Sequence, residues 1–409
     1  MYESASHQFN QYSPSLRVNP FPIYARFQRN LPVCQVQPEG FWLVSGYENA
    51  VYVLKNPGIF SSVNSARLSL QELTAHNCIP DFPLIFDDPP RHTQLRRSLN
   101  KKLLRDYIAN EAGFIRATAD RLLSALKECE QKTRKQIDFF SDFICPYLDR
   151  IIIHANGFEG VDDLSVIHDF MTAVEHPPMR KATESYYANL QALAERKDAF
   201  VTRLLQSQLE NPGSELMWAL IREKEGGVLS QTEFFRLFEL MSLLAFMTLR
   251  HFLSHVVMQL AHNRGMLARL AASPEHIPLF IEEVLRFDSS VHFLFRNASC
   301  DTRLSGVTLP SGAPVMVNVA AANRDPAFFA DPDRFDIDRQ SPKKHIAFGY
   351  GVHNCFGSEL ARVSSQIMVE TLVGRIQTMS CPDKDKLPWF YSWVAHGVKS
   401  LPVTFTYRD

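Results

Sequence analysis

The chain has 409 residues, with 43 basic against 44 acidic side chains. That balance excludes a global field selecting nucleic acid or anionic lipid. Hydrophobic residues make up 45%, ordinary for a globular protein, and 30 phenylalanines offer material for apolar cavity walls.

The opening "MYESASHQFNQYSPSLRVNP" holds no apolar run, so neither a signal peptide nor a membrane anchor is expected. "VCQVQ", a turn at Pro38-Glu39-Gly40 and "FWLVS" predict a hairpin. "HTQLRRSLNKKLLRDYIAN" and "NEAGFIRATADRLLSALKE" show apolar residues at helical spacing. A long helix is predicted from about Thr232 to His262, roughly 45 Å at 1.5 Å per residue. Its middle is apolar nearly all round, which marks a helix buried in a core. The most apolar run, Leu240 to Leu249, is closed by Glu239 and Arg250 and is too short to span a bilayer. "PLFIEEVLRF" predicts another helix. "RLSGVTLPSGAPVMVNVAAA" predicts strands about a Pro310-Ser311-Gly312 turn, and the tail "HGVKSLPVTFTYRD" is strand-like. With no repeat, low-complexity tract or linker, residues 1–409 read as one domain. It is mainly helical (α+β), with small sheets near the two ends.

Seven cysteines (Cys34, Cys78, Cys129, Cys145, Cys300, Cys355, Cys381) are scattered without a C-x-x-C pair. That argues against a zinc or redox motif and fits a reducing cytoplasm. Cys355 stands apart, in the glycine-rich loop "HIAFGYGVHNCFGSELAR" before a helix. A thiolate is a soft ligand that can bind haem iron axially. Glycines let backbone N–H groups approach its sulfur, and the following helix adds the positive end of its dipole. Phe348 can shield the sulfur from water.

The spacing Phe348-Gly349-x-Gly351-x-His353-x-Cys355-x-Gly357-x-x-Leu360-Ala361-Arg362 resembles the haem-binding loop of the cytochrome P-450 family, the haem-thiolate monooxygenases. The resemblance extends over nearly the whole chain and is to soluble bacterial members. It implies the P-450 fold, with haem b (iron protoporphyrin IX) between the long central helix and the cysteine-loop helix. Cys355 is then the axial iron ligand, and Phe348, Gly349 and Gly357 lie at the cofactor. Glu283 and Arg286 match the family's E-x-x-R pair, 72 residues before Cys355 (355 − 283). At i and i+3 the two share one helix face. Arg334, in "DPDRF", sits where the family's second arginine joins that network. Haem propionates need cationic partners, and His92, Arg96, Arg296 and His353 match the contacting positions.

The family's central helix carries A-G-x-(D/E)-T for oxygen activation. A gapless run back from Glu283 aligns Leu244 to Thr248 with it. Thr248 keeps the alcohol as the expected catalytic residue, and Ala245 replaces glycine beside the oxygen site. Met247 replaces the acid and cannot relay a proton. A register with Leu249 at the threonine position needs Phe246 at the glycine. Three accounts follow from Met247: substrate or ordered water supplies the relay, peroxide replaces dioxygen, or the chemistry departs from simple hydroxylation, as in coupling, ring formation or nitrogen chemistry. Arg250 and His251 are further candidates, with Arg250 expected to point away from the distal face.

The resemblance places the pocket between residues 66–86, the stretch Met171 to Tyr187, the central helix, and the segments His292 to Phe295 and Val394-Ala395. Leu84, Ile85, Leu240, Leu244, Phe293, Leu294, Phe295 and Val394 are the expected lining, which suits a hydrophobic small molecule. Arg67, His176 and His292 are polar candidates, and Pro177-Pro178 a candidate lid. Electrons would come from NAD(P)H through a separate ferredoxin or flavodoxin and its reductase. Arg91, Arg96, Arg97, Lys101, Lys102 and Arg105, with Lys343 and Lys344, offer either a docking patch or a solvated face. The implied function is a cytoplasmic monooxygenase using O2, with secondary metabolism as one setting and neither nucleic acid nor membrane as partner. The alternatives are a peroxide-dependent enzyme and a haem-dependent binding or sensor protein.

Overall fold

The computed structural model describes residues 14–36, 40–63, 65, 82–99, 101–133, 137–158, 160–161, 164–175, 183–340, 342–389 and 395–408. The turn at Pro38, most of 66–86 with Arg67, the segment with His176 and Pro177-Pro178, and Val394 lie outside them. So do the side chains of Leu244, Ala245, Lys101, Lys102 and Arg105.

The strands are β1 (Val33–Gln35), β2 (Trp42–Val44), β3 (Phe60–Ser61), β4 (Ile137–Asp138), β5 (Phe293–Ala298), β6 (Thr302–Leu304), β7 (Val307–Leu309), β8 (Pro314–Asn318), β9 (Ile376–Ser380) and β10 (Pro402–Tyr407). β1 and β2 form the expected antiparallel hairpin, with Cys34 opposite Leu43. The larger sheet has the order β1-β2-β8-β5-β3. Within it β2 runs parallel to β8, with Trp42 opposite Val315. β4-β10-β9 form a second sheet and β6-β7 a third.

Helices fill the rest. Arg91–Ser98 precedes Lys101–Thr133, and Ser165–Glu175 precedes Glu184–Glu210. The long helix runs Gln231–His262, about 48 Å at 1.5 Å per residue. A capping box starts it: Glu233 N donates to Ser230 Oγ (3.2 Å), and Ser230 N to Glu233 Oε2 (2.9 Å). By length and composition it is apolar enough to cross a membrane, but 79% of its apolar window is buried inside the fold. Phe234, Leu237, Phe252, Leu253, Val256 and Val257 are buried on it. They join Met368 and Leu372, of the Ser358–Arg375 helix, in the main core. A second core lies between the larger sheet and the Tyr47–Lys55 helix, and a third packs Tyr24, Phe27 and Phe41 on that sheet's other face.

One backbone contact is unusually close. A Cβ on Gly213 would sit 2.4 Å from Gly157 O, so both positions need glycine. Gln208 clasps the two, donating to Gly157 O (2.8 Å) and accepting from Gly213 N (2.9 Å).

Candidate functional site: the cysteine loop and its surroundings

The loop before Ser358–Arg375 is a set of tight turns. Gly349 N donates to Ile346 O (2.9 Å), Asn354 N to Gly351 O (3.1 Å), and Cys355 N to Phe348 O (2.8 Å). Gly349 and Gly351 take φ of +72° and +74°, which L side chains rarely adopt. At Gly351 a Cβ would also stand 2.6 Å from Leu54 O, so the loop rests directly on the end of the Tyr47–Lys55 helix. Gly357 caps the following helix, and its missing Cβ would lie 4.0 Å from Cys355 Sγ. The sulfur therefore sits at a helix N-terminus, where a thiolate is favoured.

Two adjacent glutamates tie the Ile277–Phe287 helix to its surroundings, Glu282 to the flanks of the loop and Glu283 to the 331–339 segment. Glu283 and Arg286, both fully buried, form the expected pair through Arg286 Nε (2.8 Å) and Nη2 (2.7 Å). Arg286 Nη1 also donates to Asn323 O (3.0 Å) and Pro332 O (2.8 Å). Arg334 does not join through its side chain, which is 71% exposed and lies 3.9 Å from Asp336. Its carbonyl instead accepts from Arg286 Nη2 (3.1 Å). The arginine that reaches Glu283 is Arg339, with Nε at 3.4 Å. The backbone turn of 331–336 directs Arg334 outward and leaves its carbonyl inward.

Glu282, which the motif does not include, accepts from Arg362 Nε (2.6 Å) and lies 2.9 Å from His345 Nε2. Arg362 also stands 4.7 Å over the Phe348 ring. Burial alone would raise the Glu282 pKa, but the hydrogen bonds from His345 and Arg362 outweigh it and hold the carboxyl at about 2.

His92, Arg96, Arg296 and His353 do come together. The His92 and His353 rings are 4.1 Å apart. Arg96 Nη2 donates to Asn354 O (2.6 Å) and its guanidinium lies 5.2 Å over Phe356. Arg296 Nη1 donates to Phe295 O (2.6 Å). His353 Nε2 is 3.0 Å from Ser62 Oγ. Among the described residues no carboxylate forms an ion pair with any of the four, and neither ring nitrogen of buried His92 has a partner. Burial, then Arg296, His92 and Arg96, push His353 down to about 3. Burial pushes Arg296 down to about 10, against the pull of Asp88. The two guanidinium groups, Arg296 buried and Arg96 half-buried, thus stand beside two neutral imidazoles with no ion-paired carboxylate among the described residues, and an anion there would complete them.

The pocket expectation divides along β5. Leu294 faces the cysteine loop, its Cδ1 3.4 Å from where a Gly349 Cβ would be. Arg296 shares that face, as a period of two requires. Phe293 and Phe295 therefore point the other way, into the third core against Tyr24 (5.8 Å) and Phe41 (5.9 Å). They are packing residues rather than pocket lining. Leu84 and Leu240 are buried, with Ile85 packed beside them, in the main core. Leu84 takes φ +72° and donates its N–H to Asp87 (2.8 Å). Thr248 and Met247 are half-buried on the long helix. Arg250 and His251 pack on Phe140, at 5.9 Å each.

The basic stretch after Pro90 is only partly a surface. Arg91 donates to Glu233 Oε1 through Nε (3.0 Å), and Arg96 turns inward. Arg97, Lys343 and Lys344 remain exposed.

The family profile described as Cytochrome P450 matches residues 276–406. Cytochrome P450 107B1 of Saccharopolyspora erythraea is 30% identical over 374 residues, covering 88% of this chain and 88% of that one. The chain belongs to the cytochrome P450 family. Among solved structures, CYP109E1 from Bacillus megaterium in complex with testosterone superposes with a TM-score of 0.82 at 27% identity. That match covers 96% of this chain and 98% of CYP109E1. P450BioI in complex with hexadec-9Z-enoic acid ligated acyl carrier protein gives 0.82 at 25%, over 96% of this P450 and 99% of that chain.

P450 enzymes bind haem, and the residues present fit it. A sulfur at a helix N-terminus, a loop opened by two glycines, and Arg96, Arg296 and partnerless His92 nitrogens without ion-paired carboxylates among the described residues suit such a cofactor. The P450 fold expected from the loop is the fold observed. The sequence missed Glu282 and Arg339, though Arg362 within the loop motif was a signal that a carboxylate should lie nearby.

Proposed function

We propose that this P450 is a monooxygenase that oxidises a hydrophobic small molecule, with Cys355 as the residue whose sulfur would hold haem b and residues 1–409 as one catalytic unit. The observation that carries the reading is the grouping of buried His92 and Arg296 with half-buried Arg96 and His353 beside the cysteine loop, with no carboxylate ion-paired to any of the four among the described residues. Two propionates supply the charge it lacks. Haem bound there supplies reductive activation of dioxygen. The chain's own groups do the rest. The N-terminal turn of Ser358–Arg375 favours the deprotonated sulfur. Leu294 and the Leu84–Leu240 side of the core exclude water. Thr248 holds the hydroxyl or water that passes protons into the pocket.

Testosterone and a C16 acyl chain, carried by the two solved relatives, are both extended apolar bodies, which supports a substrate of that class here. Electrons come from NAD(P)H through a separate ferredoxin or flavodoxin and its reductase, in the cytoplasm. Exposed Arg97, Lys343 and Lys344 provide positive charge near the cysteine loop for docking. Met247 favours a second reading, in which peroxide drives turnover without a proton relay.

The deciding experiment is the spectrum of reduced protein with carbon monoxide, in the parent and in Cys355→Ala. A strongly red-shifted Soret band lost in the variant is expected. A band that is absent from the parent, or retained without the sulfur, refutes the assignment. With a bound substrate, reductase-driven turnover well above the peroxide-driven rate is expected, and the reverse ranking selects the second reading.

A further inference from the structure

A second buried polar cluster lies away from the cysteine loop. It joins His255 of the long helix, Asp288 just after the Ile277–Phe287 helix, and His396 in the C-terminal segment, all buried. His255 Nδ1 lies 2.7 Å from Asp288 O, and His396 Nε2 lies 2.6 Å from Arg17 O. A carbonyl oxygen only accepts, so each of these nitrogens carries the proton. The opposite nitrogens, His255 Nε2 and His396 Nδ1, are then lone-pair acceptors. Among the described residues neither has a partner, and neither has Asp288 Oδ1. Asp288 Oδ2 is engaged, by Gln259 Nε2 (3.2 Å) and Lys384 Nζ. Each of the three residues offers a ligand atom within 4.8 Å of the others.

Three acceptors facing one another out of water repel. A cation at their centre removes the repulsion. The arrangement also has the outer support that metal-binding histidines show, with the far ring nitrogen donating to a backbone carbonyl and so fixing tautomer and orientation. Lys384 is the competing cation. It approaches from the partly exposed side and binds the oxygen the metal does not need.

We propose that His255, Asp288 and His396 form a binding site for a divalent transition ion of the zinc class, with water as fourth ligand. Two imidazoles and one carboxylate suit zinc, and contraction to ligand distances of about 2.0–2.2 Å needs side-chain shifts on the order of an ångström. Such an ion would tie the long helix to the C-terminal segment.

The test uses the haem-loaded full chain, purified without chelator and dialysed against zinc sulfate. Elemental analysis should find about one zinc per haem iron. X-ray absorption at the zinc edge should show a nitrogen and oxygen shell at about 2.0–2.1 Å with imidazole scattering. Asp288→Asn and His396→Gln, each checked for an unchanged carbon-monoxide spectrum, should weaken zinc binding about tenfold or more. Parent protein that takes up no stoichiometric zinc overturns the proposal, the cluster then holding water or a shared proton only. So does a zinc shell without imidazole, which needs no variant to fold.

Discussion

Replacing Glu282 by Gln removes the charge that joins the cysteine-loop helix to the helix carrying Glu283. The carboxylate is only 3% exposed, and it lies between His345 and Arg362. Its pKa is about 2 against the ordinary 4.5. The difference, 4.5 − 2 = 2.5, at ~1.4 kcal/mol per pH unit gives ~3 kcal/mol of pH-linked stability. Leaving Arg362 without its buried partner is of the same order, ~3–5 kcal/mol. The sign follows from the direction. A depressed carboxylate contributes fully above pH 4.5 and loses its contribution as pH falls toward 2. The parent should therefore exceed Glu282→Gln by ~3 kcal/mol at pH 7, with the gap unchanged to about pH 5 and shrinking below it. Equilibrium denaturant unfolding of the ferric haem-loaded protein, followed by tryptophan fluorescence and the Soret band at several pH values, reads this directly. A variant as stable as the parent at pH 7, or a gap that stays constant well below pH 4.5, refutes the reasoning.

Arg339→Leu should destabilise by ~1–3 kcal/mol in the same assay, because Glu283 loses a buried donor, whereas Arg334→Leu should change little; equal effects would show that the solvent-facing arginine acts after all. Gly351→Ala should lower stability by at least ~1–2 kcal/mol from the left-handed backbone alone, with the clash against Leu54 O adding to it; denaturant unfolding checks this too. His92→Phe combined with Arg296→Leu should speed haem loss to apomyoglobin about tenfold or more, since hydrogen bonds to charged groups contribute ~1.5–3 kcal/mol each. An unchanged transfer rate would mean that the cluster contacts no propionate.

Much of the fold was readable because local and global signals agreed. The long helix announces itself by a middle that is apolar nearly all round, and the β1–β2 hairpin by two short strand-like runs about Pro38-Glu39-Gly40. The cysteine loop was readable because each glycine has a steric reason, most clearly Gly351 against Leu54. The failures are of another kind. Arg334 and Arg339 stand in one proline-rich segment with no periodicity, and only the path of the backbone decides which side chain turns inward. Residues 293–298, FLFRNA, show no alternation of apolar and polar side chains, so the sequence named Phe293, Leu294 and Phe295 together as lining; pairing with β8 turns Leu294 to the loop and the two phenylalanines into the third core. The basic run after Pro90 looks like an exposed face, yet Arg91 and Arg96 are drawn to Glu233 and Asn354, which come from distant parts of the chain. His255, Asp288 and His396 are 33 and 108 residues apart (288 − 255 and 396 − 288), so no local pattern joins them.

The parallel pairing of β2 with β8 sets an order of events during synthesis. Trp42 meets Val315, 273 residues later (315 − 42). At ribosomal rates of about 5–20 residues per second, the β1–β2 hairpin waits roughly 14–55 s for its neighbour to emerge. A lone two-stranded hairpin is marginal in water. For that interval the β2 edge of the hairpin has no neighbour of its own chain, so the larger sheet closes only once β8, in the last third of the chain, has emerged.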